Sequence, residues 1–123
     1  MTLKNPVVFF EIPVKNMERA IEFYSTLFDV SFEIEEIHGN EFAFFPITKS
    51  LGVTGSLAKG KSYKPSKSGS LIYFKCDDIK ATLKQVKKLG GEEYFPKTKA
   101  SNYGFVAEFI DTEGNRIGLH END

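Results

Sequence analysis

Phe10-Glu11-Ile12-Pro13-Val14-Lys15-Asn16-Met17 joins a β-rich run to an amphipathic one, and a matching join returns 62 residues later at Ile72-Tyr73-Phe74-Lys75-Cys76-Asp77-Asp78-Ile79. On its N-terminal side, Val7-Val8-Phe9-Phe10-Glu11-Ile12 is short, β-branched and aromatic, and Pro13 stops it, so a strand is expected. On its C-terminal side, Asn16 is suited to cap a helix. Met17, Ala20, Ile21, Tyr24, Leu27 and Phe28 then fall at helical spacing and form one apolar stripe. Burial of that stripe on a sheet explains it more simply than a groove for a partner.

The remaining segments extend this unit. Phe32 to Ile37 alternates imperfectly, His38-Gly39-Asn40 is a turn, and Glu41 to Pro46 returns as a strand. Leu51 to Ala58 has strand character weakened by Gly52 and Gly55. Lys59 to Gly69, with four lysines, reads as a solvated connector. The second half restarts with a strand from Ser70 to Cys76. Asp77 and Asp78 suit a helix start, Ile79, Leu83, Val86 and Leu89 continue it, and Gly90-Gly91 ends it. Glu93 to Phe95 is a short strand, Phe105 to Ile110 a longer one, Asp111 to Asn115 a turn, and Arg116 to His120 the last strand.

Each half therefore reads β-α-β-β-β. The expected class is α+β: one domain over 1–123, with module one over about 6–58, a connector at 59–69 and module two over about 70–120. The shift of 62 also lays Leu27 on Leu89 and Phe42 to Phe45 on Gly104 to Ala107. A hollow between two such repeats is a natural place for a ligand.

The 123 residues suit one domain, and 41% hydrophobic and 14% aromatic residues exclude compositional disorder. Sixteen basic against seventeen acidic side chains leave a net charge of −1, which argues against a nucleic-acid partner. Only Arg19 and Arg116 are arginines, so bidentate clamps for phosphate or carboxylate are few. No apolar stretch is long enough to span a bilayer, and the N-terminus has no signal-peptide pattern. Cys76 stands alone and is expected to be a buried small hydrophobe. A cytoplasmic protein without membrane association is the expectation.

The join at Phe10 to Tyr24, the step Phe74-Lys75-Cys76-Asp77-Asp78-Ile79, and the ending Phe109-Ile110-Asp111-Thr112-Glu113-Gly114-Asn115-Arg116-Ile117-Gly118-Leu119-His120 together resemble the vicinal oxygen chelate superfamily, which includes glyoxalases, bleomycin-resistance proteins and dioxygenases. The resemblance implies a cup-shaped mixed sheet from two βαβββ modules with helices outside, commonly in a homodimer. It also implies a divalent metal held by four His, Glu or Gln side chains, one each from the first and last strands of each module. Carried over residue by residue, those positions fall on Phe9, Ser56, Leu71 and Gly118. Phe and Leu have no donor atom, Gly has no side chain, and a neutral Ser is a poor ligand. A slip of one residue offers Phe10, Ile72 and Leu119, which are no better. No metal and no cofactor are therefore expected.

By strand alternation Glu11 shares a face with Phe9, Tyr73 and Lys75 with Leu71, Thr54 with Ser56, and Arg116 and His120 with Gly118. The resemblance implies that the first and last strands of each module run side by side and parallel, which puts Glu11 with Ala58 and Tyr73 with His120 and lets Glu11, Tyr73 and His120 converge. Three readings stay open for that cluster. It is a satisfied buried network. Or it reads polar groups of a small molecule between apolar walls of Phe9, Leu71 and Phe105. Or Glu11 and His120 act as general acid and base, in isomerase, lyase or epimerase chemistry on a small carbonyl compound. Arg116 either pairs with Glu11, clamps a ligand carboxylate, or makes a surface salt bridge. His38 is expected to be exposed and structural. Antibiotic sequestration is one version of the binding reading, though a near-neutral chain with a lysine-rich connector suits a basic antibiotic poorly.

Overall fold

The computed structural model describes residues 5–49 and 52–123. The first four residues lie outside these, as do Ser50 and Leu51, at the start of the expected Leu51-to-Ala58 strand. The chain divides into two compact units, Met1–Lys64 and Pro65–Asp123, so the break falls inside the expected connector.

In the first unit the order is β1 (Phe10–Pro13), α1 (Met17–Phe28), β2 (Glu33–Ile37), β3 (Asn40–Phe44) and β4 (Gly55–Lys59). The strands form one mixed sheet in the order β1-β4-β3-β2, with β1 parallel to β4 and the other pairs antiparallel. The Asn16 side chain accepts the Arg19 N–H at 3.0 Å and starts α1. Asp29 in the left-handed conformation ends it. Met17, Ala20, Phe23 and Tyr24 are the buried positions of α1, so the face is rotated slightly from the expected stripe toward Phe23. Behind the sheet they meet Ile12, Ala43 and Leu57, all essentially solvent-free. Phe45 is the aromatic hub of this core. Its ring lies 5.4 Å from Phe10, 6.1 Å from Tyr24 and 4.7 Å from Phe32.

The second unit repeats the plan with β5 (Tyr73–Lys75), α2 (Ile79–Lys88), β6 (Glu92–Lys99), β7 (Phe105–Ile110) and β8 (Arg116–Glu121). Its sheet runs β5-β8-β7-β6, again with a parallel first pair. Asp78 accepts the Ala81 N–H at 3.1 Å as N-cap. The Glu121 carboxylate accepts the Ile79 N–H at 2.8 Å and the Lys97 ammonium at 2.9 Å, which ties the last strand to the start of α2. These two bonds, the backbone one first, hold the Glu121 carboxyl below its ordinary value. The Asp111-to-Asn115 turn is closed by the Asp111 carboxylate, which accepts the N–H groups of Glu113 and Asn115 at 2.9 Å, with Gly114 at φ 99°.

The 62-residue repeat holds in the parallel strand pairs. Glu11 pairs with Ser56 as Tyr73 pairs with Gly118, Ile12 with Leu57 as Phe74 with Leu119, and Pro13 with Ala58 as Lys75 with His120. In the hairpins the equivalence is different. Ala43 faces Leu57 and Ala107 faces Leu119, so Phe42 to Phe45 correspond to Val106 to Phe109 and not to Gly104 to Ala107. The cause is the longer connection between β3 and β4.

Some element ends also differ from expectation. β1 begins at Phe10, because Val7 to Phe9 have no ladder partner. β6 runs on through Pro96 to Lys99, its register broken by irregularities after Glu93 and Phe95, and this accommodates a residue without an N–H. Cys76 is half-buried, not fully buried, and burial is the first cause pushing its thiol up.

Candidate functional site

Strand alternation gives each sheet one face toward its helix and one open face. In the first unit the open face is set by register. Glu11, Ser56, Phe44 and Glu33 form one cross-strand row, and Pro13, Ala58, Phe42 and Glu35 form the next. Phe9, one residue before β1, lies on this side with its ring 6.3 Å from Phe44. Phe10 lies on the other side, in the Phe45 core.

Across this face reaches a residue that sequence reasoning passed over. The Tyr63 hydroxyl donates to both Glu11 oxygens, at 3.2 and 3.1 Å, and its ring stands edge-on to Phe42 at 5.9 Å. Phe42 in turn stacks on Phe44 at 6.1 Å. Partial burial, followed by the bond to Glu11, pushes the Tyr63 phenol above its ordinary value, so it stays a neutral donor. Beneath these groups Ser56 is 0% exposed, and among the described residues its Oγ has no hydrogen-bond partner. The result is a carboxylate held by Tyr63 on a face that also carries the linked rings of Phe9, Phe44 and Phe42, with an unmatched hydroxyl in the same row.

The second unit treats the equivalent row differently. Tyr73, Gly118, Glu108 and Phe95 lie side by side. A Cβ on Gly118 would meet the Tyr73 ring at 2.5 Å, so that ring fills the place where a side chain would project. Glu108 is taken by Arg116, whose Nε donates to Oε1 at 2.6 Å while the guanidinium lies 5.3 Å from the Tyr94 ring centre. That bond is the first cause raising the Arg116 pKa.

Several placements need correction. Glu11 shares its row with Ser56 and not Ala58, and Tyr73 with Gly118 and not His120. The parallel ladders are anchored by the Val14 N–H on the Ala58 carbonyl at 2.9 Å and the Cys76 N–H on the His120 carbonyl at 2.8 Å. Arg116 makes the cross-strand salt bridge with Glu108 and does not pair with Glu11. Phe105 is not a wall of the open face. It lies opposite Glu121 on the helix side, beneath the ammonium groups of Lys97 and Lys99. His120 Nε2 is hydrogen-bonded to the Tyr103 carbonyl. Thr54 donates to the Pro46 carbonyl at 2.9 Å, Leu71 is half-buried just before β5, and His38 is exposed in its turn.

The positions where the resemblance implies metal ligands thus hold an aromatic ring (Phe9), a hydroxyl (Ser56), an aliphatic chain (Leu71) and a glycine overlaid by Tyr73 (Gly118). These residues do not fit a divalent metal. Among the described residues no three His, Cys, Asp or Glu side chains stand together as a metal-holding group. Nor is any described helix long and apolar enough to cross a membrane.

Comparison with known proteins agrees with this fold. A glyoxylase-like domain-containing protein of Didymella fabae is 29% identical over 119 residues, covering 94% of this chain and 92% of that protein. Among solved structures, TnmS3, an antibiotic-binding protein from Streptomyces sp. CB03234, matches 100% of this chain and 99% of its own at 23% identity and a TM-score of 0.63. A glyoxalase I mutant from Zea mays matches 94% of this chain at 15% identity and a TM-score of 0.69, and the chain spans 46% of that protein. The Glyoxalase/Bleomycin resistance protein/Dioxygenase superfamily profile matches residues 7–119, and the chain belongs to that superfamily.

Proposed function

We propose that the protein binds a small organic molecule on the open face of its first sheet, without using a metal ion. One observation carries this reading: Glu11 shares a face with the linked rings of Phe9, Phe44, Phe42 and Tyr63, and Ser56 Oγ lies buried in the same row with no partner among the described residues. Leaving a buried hydroxyl unmatched costs about 1–3 kcal/mol, and a bound molecule with a polar atom offsets it. Apolar walls with a few placed polar groups are the ordinary make-up of a small-molecule site. The antibiotic-binding relative supports sequestration as one form of this role.

Acid–base catalysis on a carbonyl compound has less in its favour. It needs Glu11 and His120 free to move protons, while Glu11 is held by Tyr63 and His120 by a backbone carbonyl. A homodimer and a cytoplasmic setting belong to the same proposal. The family resemblance supports the first, and a single cysteine, which excludes an internal disulfide, suits the second. Light scattering that gives a monomer at micromolar concentration would remove the dimer.

The test is a metabolite-library screen by thermal shift, run with chelator and again with added Zn, Ni or Mn salts. Hits are expected whose shifts are the same in both arms. Hits that appear only with a divalent ion, together with about one tightly held metal per chain by elemental analysis, would contradict the proposal.

A further inference from the structure

We infer that the molecule held on this face is an organic cation: an ammonium or amidinium group on an apolar body. The inference rests on the proposed use of the face as a binding site and narrows its ligand. The two cross-strand rows place three carboxylates on one side of the sheet, from Glu11, Glu33 and Glu35. No Lys, Arg or His occupies an open-face position of β1 to β4, and the lysine of β4, Lys59, faces the other way beside Glu41. The chain's near-zero net charge conceals this segregation. A global balance therefore does not argue against a basic ligand here. Lys61 and Lys64 flank Tyr63 in the connector, and both are exposed.

The rings add a second preference of the same sign. The face of an aromatic ring carries negative potential and attracts a cation within about 6 Å of its centroid. Phe9, Phe44, Phe42 and Tyr63 form a chain of neighbouring rings on the face that carries the carboxylate, and Tyr63 touches it. Ser56 Oγ offers a lone pair to an N–H of the ligand, which independently marks the spot as incomplete. Tyr63 acts as a placeholder: its hydroxyl satisfies Glu11 until a ligand N–H replaces it, and its ring remains as a wall. An anionic ligand would meet the Glu11 carboxylate, with Glu33 and Glu35 further along the same face on β2, and a neutral one would leave the charge of Glu11 unused.

The experiment compares three probes that share a benzene ring: benzylammonium, benzyl alcohol and phenylacetate. Each is titrated at millimolar concentration into the 15N-labelled protein and followed by amide NMR. The cation is expected to bind about tenfold more tightly than the alcohol. It should shift amides of residues 9–12, 42–44 and 63, and lose its advantage in Glu11→Gln. Glu35→Gln, an exposed strand position, should weaken it less, and Tyr63→Phe should leave the ring contact and strengthen cation binding. Equal or tighter binding of the alcohol or carboxylate at those amides would overturn the cation inference and leave the face assignment standing. Shifts confined to residues 73–75 and 116–120 for all three probes would overturn the face assignment itself. No shift with any probe would contradict both.

Discussion

The rows Glu11–Ser56–Phe44–Glu33 and Tyr73–Gly118–Glu108–Phe95 occupy the same place in two copies of one fold, yet they carry different chemistry. In the second unit the Tyr73 ring overlays Gly118 and Arg116 holds Glu108. In the first unit the carboxylate is at the sheet's first strand, its donor comes from the connector, and a buried hydroxyl stays unmatched. The backbone ladder is the same, so the difference is chemical. On the proposed reading, the second face is structure and the first is completed by a ligand.

The largest expected effect probes the shared ladder. A Cβ at Gly55 would strike the Phe10 carbonyl oxygen, which cannot move without breaking the β1–β4 pairing, whereas at Gly118 it strikes a ring that is 48% exposed and can swing away. Gly55→Ala is expected to destabilise by about 3 kcal/mol and Gly118→Ala by about 1 kcal/mol in urea unfolding. Tyr73→Ala should relieve the second but not the first. Equal losses at the two glycines would contradict the idea that Tyr73 is a replaceable cover.

Glu11→Gln comes next. It should weaken a ligand found by screening about tenfold while shifting stability by less than about 0.5 kcal/mol, because the side chain is exposed. A large stability loss with unchanged affinity would instead make the Glu11–Tyr63 pair a structural bond. Ser56→Ala should leave the ligand-free protein as stable or more stable by about 1 kcal/mol, since it removes an unmatched hydroxyl, and should weaken the ligand. A clear loss of stability would show that the hydroxyl is already satisfied.

The smallest effect lies in the second unit and depends on pH. The folded Glu121 carboxyl is held below its ordinary value of 4.5 by the Ile79 N–H and then Lys97. Its contribution is therefore complete above that ordinary value and is lost as pH falls through the lower folded value. Glu121→Gln should lower the urea midpoint near neutral pH, with the gap from wild type closing on acidification. A gap that widens in acid would reverse the assignment.

The sequence carried the repeat well because a parallel pair is fixed by polarity at both ends. The strand–helix joins with their caps at Asn16 and Asp78 repeat at one spacing, and so do the ladders they feed. The hairpin equivalence was not legible, because the β3–β4 and β7–β8 connections differ in length while Phe42 to Phe45 and Val106 to Phe109 share little side-chain chemistry. Phe9 was placed by the family resemblance, and Glu11 followed from it by strand alternation. Tyr63 could not be found in either way: it sits in a lysine-rich connector with no periodicity, and only its position in space shows that it meets Glu11. Its one sequence signal was being the lone aromatic residue of that connector. The pairing partners of Arg116 and His120 were equally hidden, since Glu108 and the Tyr103 carbonyl become neighbours only through the β7–β8 register and the turn before it.

The central claim is that the open face of the first sheet, and not that of the second, takes the ligand. Amide chemical-shift mapping with the strongest hit of the thermal-shift screen tests it directly. Shifts centred on Glu11, Phe42, Phe44, Ser56 and Tyr63, and absent in Glu11→Gln, are the predicted result. Shifts centred on Tyr73, Arg116, Gly118 and His120, unaffected by Glu11→Gln, would contradict it.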